Sequence, residues 1–371
     1  ATRSAPPTPT PPESEDPMLC LSRANAAYEA GSLSAAIDYY RCAATGMPNN
    51  VQVFYQLAKL LIITGRADEG LEAAQQAILA DPTAPHGYAV MGMALDWTAR
   101  GDAEVYRRAV AYLLRALDID PNFADAYAFL SEVYTDQGRG EQAFGVANRA
   151  IELDPENYMA YRNLGYALHL QGRYDEAAEQ YETAIRLNPK LPNLRIDLAQ
   201  SYLALERVND AMDLLLQAVQ ITGGDPRSYY WLGVGYLRYL GDYGAALNSW
   251  QSCVEIDPNY RACWERLGGL LLFQSDYPRA ANAYSRAIEL GIGGADVYYN
   301  ASLSYKLMGR CDTATTYARR GLEQPNITPQ REQDLREVLS ECQGVPLDAA
   351  DDANDTDEAG ETGEIGSTDA Q

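Results

Sequence analysis

Histidine and lysine are almost missing from this 371-residue sequence: His86 and His169, and Lys59, Lys190 and Lys306, are all there are. Neither histidine stands at a metal-ligand spacing from the other or from a cysteine pair, and no two of the six cysteines form a CxxC, so the chain offers no zinc-type ligand set. No apolar run approaches the roughly 18 residues that a membrane-spanning helix needs. HExxH, GxSxG and the Gly-rich phosphate loops are missing as well. With no catalytic constellation, neither an enzymatic activity nor a cofactor or metal is expected. Positive charge is scarce too: 29 Lys and Arg face 52 Asp and Glu, for a net charge of −23. Nucleic acid and anionic membrane surfaces are therefore disfavoured, because phosphate binding needs clustered Lys and Arg. Acidity on this scale first of all serves solubility.

What is present is a rhythm. Pro48, Pro82, Pro121, Pro155, Pro189 and Pro258 stand 34, 39, 34, 34 and 69 residues apart, the last gap being two periods. A repeat of that size predicts an array of small supersecondary units. Five residues before each proline lies a small residue: Ala43, Ala77, Ala116, Ala150, Ala184 and Cys253. Twelve before it lies another (Ala36, Gly70, Ala109, Ala143, Ala177, Ala246), and eight before it often a large one such as Tyr40, Tyr181 or Trp250. Steps of three, four and seven put these residues on one face of a helix, the second of each unit. Small side chains there let a first, upstream helix approach closely. That first helix carries motifs such as Tyr161-x-x-Leu164-Gly165, Tyr230-Trp231-Leu232-Gly233 and Trp264-x-x-Leu267-Gly268. Gly31, Gly65, Gly138, Gly172 and Gly309 fall where a left-handed residue would end the first helix, and Asp-Pro or Asn-Pro ends the second.

This pattern resembles the tetratricopeptide repeat, and Tyr158–Leu191 is a near-consensus example of it. The resemblance implies an all-α solenoid, a right-handed superhelix of stacked antiparallel helix pairs. Nine units are expected over 17–50, 51–84, 85–123, 124–157, 158–191, 192–225, 226–260, 261–294 and 295–328, with a capping helix over 329–343. The third unit has five extra residues near Thr98–Glu104, read as an enlarged turn between its helices. Residues 1–16 are Pro/Thr-rich and read as an extended stalk, and 344–371 as a disordered acidic tail. The chain opens Ala1-Thr2-Arg3 without an initiator Met, as expected of a mature chain after signal-peptide removal or of a trimmed one.

The repeat frame makes neighbours of Cys20 and Cys42, of Cys253 and Cys263, and of Cys311 and Cys342. One reading is that cysteine simply replaces alanine at small-residue sites, as Cys253 does; the other is three disulfides, which would place the protein in the periplasm, on the cell surface or in the medium.

In the family the first helices line the concave face. Residues expected to point into it are Tyr55, Lys59, Trp97 and Glu132, then Arg162, Asn163, Tyr166 and His169. Further along are Arg227, Tyr230, Trp231, Arg238, Arg266, Tyr299, Asn300 and Lys306. Arrays that clamp a C-terminal carboxylate use Lys, Arg and Asn on three successive first helices. Arg162 and Asn163 begin such a set, but Asn193 and Asp197 stand where further basic groups are wanted. The stretch from Arg227 to Lys306 is the better candidate for an acidic or aromatic-rich segment. The expected function is a non-enzymatic adaptor outside the cytoplasm that binds proteins or peptide segments in its groove. A structural subunit of a larger envelope or surface assembly is a second class, and a carbohydrate-binding accessory protein a third.

Overall fold

The computed structural model describes residues 16–99, 101–222 and 226–344. The expected stalk and acidic tail lie, but for Asp16 and Gly344, outside the described residues. The chain divides into two compact units, the first ending at Trp231 and the second starting at Leu232.

The first unit is a run of antiparallel pairs. α1 (Pro17–Glu29) packs on α2 (Leu33–Gly46), α3 (Val51–Ile63) on α4 (Ala67–Ala80), and α5 (Pro85–Thr98) on α6 (Ala103–Ile119). α7 (Ala124–Asp136) pairs with α8 (Gly140–Leu153), α9 (Tyr158–Leu170) with α10 (Tyr174–Leu187), and α11 (Pro192–Ala204) with α12 (Val208–Thr222). The first helices also stack on one another, α3 on α5, α5 on α7 and α7 on α9. α13 (Pro226–Gly235) carries the division between the units and runs on into a π-helical turn, Tyr236–Leu240, closed by Gly241 in the left-handed region (φ 65°). The second unit continues with α14 (Tyr243–Ile256), the pairs α15 (Arg261–Phe273) with α16 (Tyr277–Glu289) and α17 (Ala295–Leu307) with α18 (Cys311–Leu322), and the cap α19 (Pro329–Gln343). No strand occurs among the described residues. The fold is an all-α solenoid.

The seams follow from the small residues. Ala36, Ala43, Ala77, Ala109, Ala116, Ala143, Ala150, Ala177, Ala184, Ala246 and Cys253 are all fully buried. The large partner fills the gap beside them, as Tyr40, Tyr181 and Trp250 do. Each closing Asp-Pro is held by its own side chain. Asp81, Asp120, Asp154 and Asp257 accept, through Oδ1, the backbone N–H two residues on at 2.9–3.0 Å. A second brace reaches a closing proline's carbonyl from six residues downstream: Tyr88 to Pro82, Tyr127 to Pro121, Trp264 to Pro258 and, at the Asn-Pro closure, Arg195 to Pro189. The repeat turn is thereby satisfied locally.

The extra residues of the third unit do not make a large turn. The link from α5 to α6 spans only 99–102, whereas α6 runs to 17 residues. Asp102 caps α6, its Oδ1 accepting from the N–H of Glu104 at 2.8 Å, and continuing the helix satisfies more backbone groups than an open loop would.

The first unit also closes on itself. Asn188 at the end of α10 donates to the Tyr28 hydroxyl at the end of α1 (2.8 Å), and Arg227 of α13 donates to the carbonyl of Ile63 at the end of α3 (2.5 Å). These contacts, across some 160 residues of sequence, bring the end of α1 to α10 and the end of α3 to α13.

Candidate binding surface on the first helices

Two polar networks lie along the first helices of the first unit. In one, Asp125 of α7 takes a hydrogen bond from Tyr55, a contact from the Lys59 ammonium at 3.3 Å and a bond from Asn157 Nδ2 at 2.6 Å. Burial opposes ionisation of Asp125, but Lys59 and these hydrogen bonds hold its carboxyl below the ordinary value. Lys59 is likewise penalised by burial, and Asp125 more than compensates, keeping the ammonium charged. Tyr55, His86 and Phe123 pack ring to ring beside this pair, with centroids 4.8–6.3 Å apart. Tyr55 at its centre is 2% exposed, and His86, Phe123, Lys59 and Asp125 around it are half-buried.

The second network centres on Arg162. Its Nε meets Asp197 Oδ2 at 3.0 Å, and its Nη1 meets Glu132 and, at 2.9 Å, the Oδ1 of Asn163. Asn163 in turn donates to the Ala128 carbonyl at 2.8 Å, tying α9 to α7. Arg162 and Asn163 are buried, and the guanidinium is already shared among α7, α9 and α11. Asp197 therefore stands where a carboxylate clamp would want a cation and neutralises the one cation present. His169 is half-buried, its Nδ1 2.9 Å from Ser201 Oγ, and burial lowers its pKa.

Beside Arg162 opens a cavity of about 320 Å³, lined by Asp96 and Trp97 of α5, Tyr106 of α6, Glu132 and Asp136 of α7, and Arg162 and Tyr166 of α9. Tyr166 donates to Asp136 Oδ1 at 2.7 Å. One carboxylate oxygen each of Asp96 and Glu132, and the Trp97 indole N–H, have no hydrogen-bond partner. Asp96 and Glu132 are only 4% and 5% exposed. Burial, then the charges of Glu132 and Asp136, push the Asp96 carboxyl well above the ordinary range, and burial carries Asp136 up to about 6.

In the second unit the expected residues are placed differently. Arg238 and Arg266 are exposed on the π-helical turn and on α15. Asn300 bonds the buried Tyr284 hydroxyl, Tyr299 lies under the Arg331 guanidinium (4.1 Å), and Lys306 is paired with Glu341 of the cap. Arg227, Tyr230 and Trp231 belong to the first unit, half-buried, with the Tyr230 and Trp231 rings edge to face at 5.4 Å. The cysteines stand as three close pairs, Cys20 with Cys42, Cys253 with Cys263 and Cys311 with Cys342, with Cα–Cα separations of 5.8, 6.3 and 5.1 Å that a disulfide spans.

Sequence reasoning picked out Trp97, Glu132, Arg162 and Tyr166, which the structure brings together, and missed Asp96, Tyr106 and Asp136. A signal for Asp96 existed in the repeat register. It holds the same position in its first helix as His169 and Lys306, two residues already expected at the groove, in theirs.

Family models described as tetratricopeptide repeat match residues 51–83, 98–157, 146–179, 168–230 and 236–295, together more than half of the chain. No curated protein matches the sequence. Among solved structures, one chain of the APC/C hetero-tetramer Cut9-Hcn1 superposes with a TM-score of 0.59 at 19% identity, covering 83% of this chain; the match spans 59% of that chain's length. YrrB, a TPR protein with an unusual peptide-binding site, aligns at 21% identity over 48% of this chain and 92% of its own, with a TM-score of 0.35. The first likeness shows the fold, and the second carries no argument.

Proposed function

Because this chain belongs to the tetratricopeptide-repeat family, its repeats support a protein–protein interaction scaffold, and we propose that it is a non-enzymatic one that acts outside the cytoplasm, holding a partner segment against its first helices. What supports this reading is the ring- and charge-bearing surface that the first helices contribute, at the cavity beside Trp97 and at the exposed Arg238 and Arg266. Aromatic rings give contact area at small entropic cost, and guanidiniums add directional hydrogen bonds. The chain's acidity speaks against nucleic acid as the partner.

Charge reversal tests the site. The double variant Arg238→Glu, Arg266→Glu should lose the partner recovered by affinity purification from the native host. Undiminished recovery removes these two residues from the interface. The compartment has its own test. If the three cysteine pairs are disulfides, the unfolded, unreduced protein titrates no thiol, and six titratable thiols end the extracytoplasmic reading.

A further inference from the structure

The cavity beside Arg162 holds polar atoms that the fold leaves without a hydrogen-bond partner: Asp96 Oδ1, Glu132 Oε2 and the Trp97 indole N–H. Three carboxylates, Asp96, Glu132 and Asp136, line it against a single guanidinium, which Asp197 already shares from outside. Burying an unpaired carboxylate is costly, and folded chains do so where something else supplies the counter-charge. Here Asp96 Oδ1 and Glu132 Oε2 are buried without a partner. The rings of Trp97, Tyr106 and Tyr166 complete the wall. Carboxylates and ring faces together are the surroundings that stabilise an organic cation.

We propose that this cavity receives the side chain of a lysine from a partner segment, its ammonium shared among Asp96, Glu132 and Asp136 and its alkyl stem lying between Trp97, Tyr106 and Tyr166. The choice of ammonium follows from geometry and size. An ammonium is a compact charge with three donors, which matches three separate carboxylates, whereas a second guanidinium is a planar fork. At about 320 Å³ the cavity sits at the small end of ligand sites and suits one side chain. The proposal rests on the reading of the first helices as a protein-binding face and names the chemistry they would select.

The test uses the full chain and three probes: an acetylated, amidated Ala-Ala-Lys-Ala-Ala peptide, the same peptide with norleucine for lysine, and n-butylamine. Binding is read from the Trp97 indole N–H resonance, assigned through Trp97→Phe. The lysine peptide should shift that resonance saturably and the norleucine peptide should not. Asp96→Asn should weaken the lysine peptide at least tenfold while raising the urea midpoint of unfolding at neutral pH, because it removes a carboxyl whose ionised form is penalised in the folded state by burial and by Glu132 and Asp136. A carboxylate that served only the fold would instead lower that midpoint. Asp136→Asn, at a less buried position, repeats the affinity test should Asp96→Asn misfold. Equal shifts by both peptides, no saturable shift, binding of butylamine without the lysine peptide, or unchanged affinity in these variants overturns the proposal. None of those results bears on partner capture through Arg238 and Arg266, so the two readings fail separately.

Discussion

Arg162 of α9 reaches Asp197 of α11 with Nε to Oδ2 at 3.0 Å while its Nη1 holds Glu132 of α7, so one side chain joins three consecutive repeats. All three groups are largely out of water, at 10%, 17% and 6% side-chain exposure. Removing the cation strands two carboxylates. Arg162→Met should therefore destabilise the protein by about 3–5 kcal/mol, the cost of breaking a buried ion pair on one side. Urea unfolding measures it, and a loss under about 1 kcal/mol would show that water reaches the site freely.

Asp136 faces Asp96, Glu132, Arg162, Tyr106 and Tyr166, and burial raises it to about 6. The sign follows from proton binding. With the folded value above the unfolded one, the folded state holds more protons between the two, so this group's contribution to stability is complete below the ordinary aspartate range and is lost as pH rises through about 6. Asp136→Asn should thus raise the melting temperature at pH 7.5 and give no gain at pH 4. A gain independent of pH would refute the assignment.

Trp250 fills the space beside Gly233, so that a Cβ on the glycine would overlap the indole ring. The ring is fully buried and has nowhere to go. Gly233→Ala should cost roughly 1–3 kcal/mol, overpacking outweighing the gain of up to about 1 kcal/mol in helix propensity. Gly145 in α8 has open space around its missing Cβ, and Gly145→Ala should instead stabilise by about 0.5–1 kcal/mol. Chemical denaturation of the pair separates the two effects, and equal signs would contradict this account of the seam.

Glu206 and Ser275 occupy, with φ of 59° and 61°, the left-handed position that Gly31, Gly65, Gly138, Gly172 and Gly309 fill in other repeats. A side chain is strained there by about 1–2 kcal/mol. Glu206→Gly and Ser275→Gly should each raise stability by about 1 kcal/mol, less the backbone entropy glycine regains when unfolded. A loss of stability in both would mean that the side chains themselves hold the turn.

Much of the fold was legible in the residues. The glycines at Gly65 and Gly172 and the Asp-Pro closures at Asp81 and Asp154 act within a few residues of themselves, so their spacing announces the helices directly. The third repeat was read wrongly for the complementary reason. Added residues look the same in sequence whether they enlarge a turn or lengthen the helices beside it; here most of them lengthen α6, which Asp102 caps, and the turn itself stays short. The polar surface was harder to read. Lys59, Arg162 and Asn163 have the composition of a groove, yet each is consumed by a partner 30 or more residues away.

The amino-acid order by itself determined the period, the helix limits and the alanine-faced seams, because propensity, capping and side-chain size act over one helical turn. Only the tertiary structure decided which charges meet. Coulombic pairing and desolvation depend on distances between helices one and two repeats apart, and on the contact of α1 with α10. Those distances put Asp197 on Arg162 and left Asp96 Oδ1 buried without a hydrogen-bond partner.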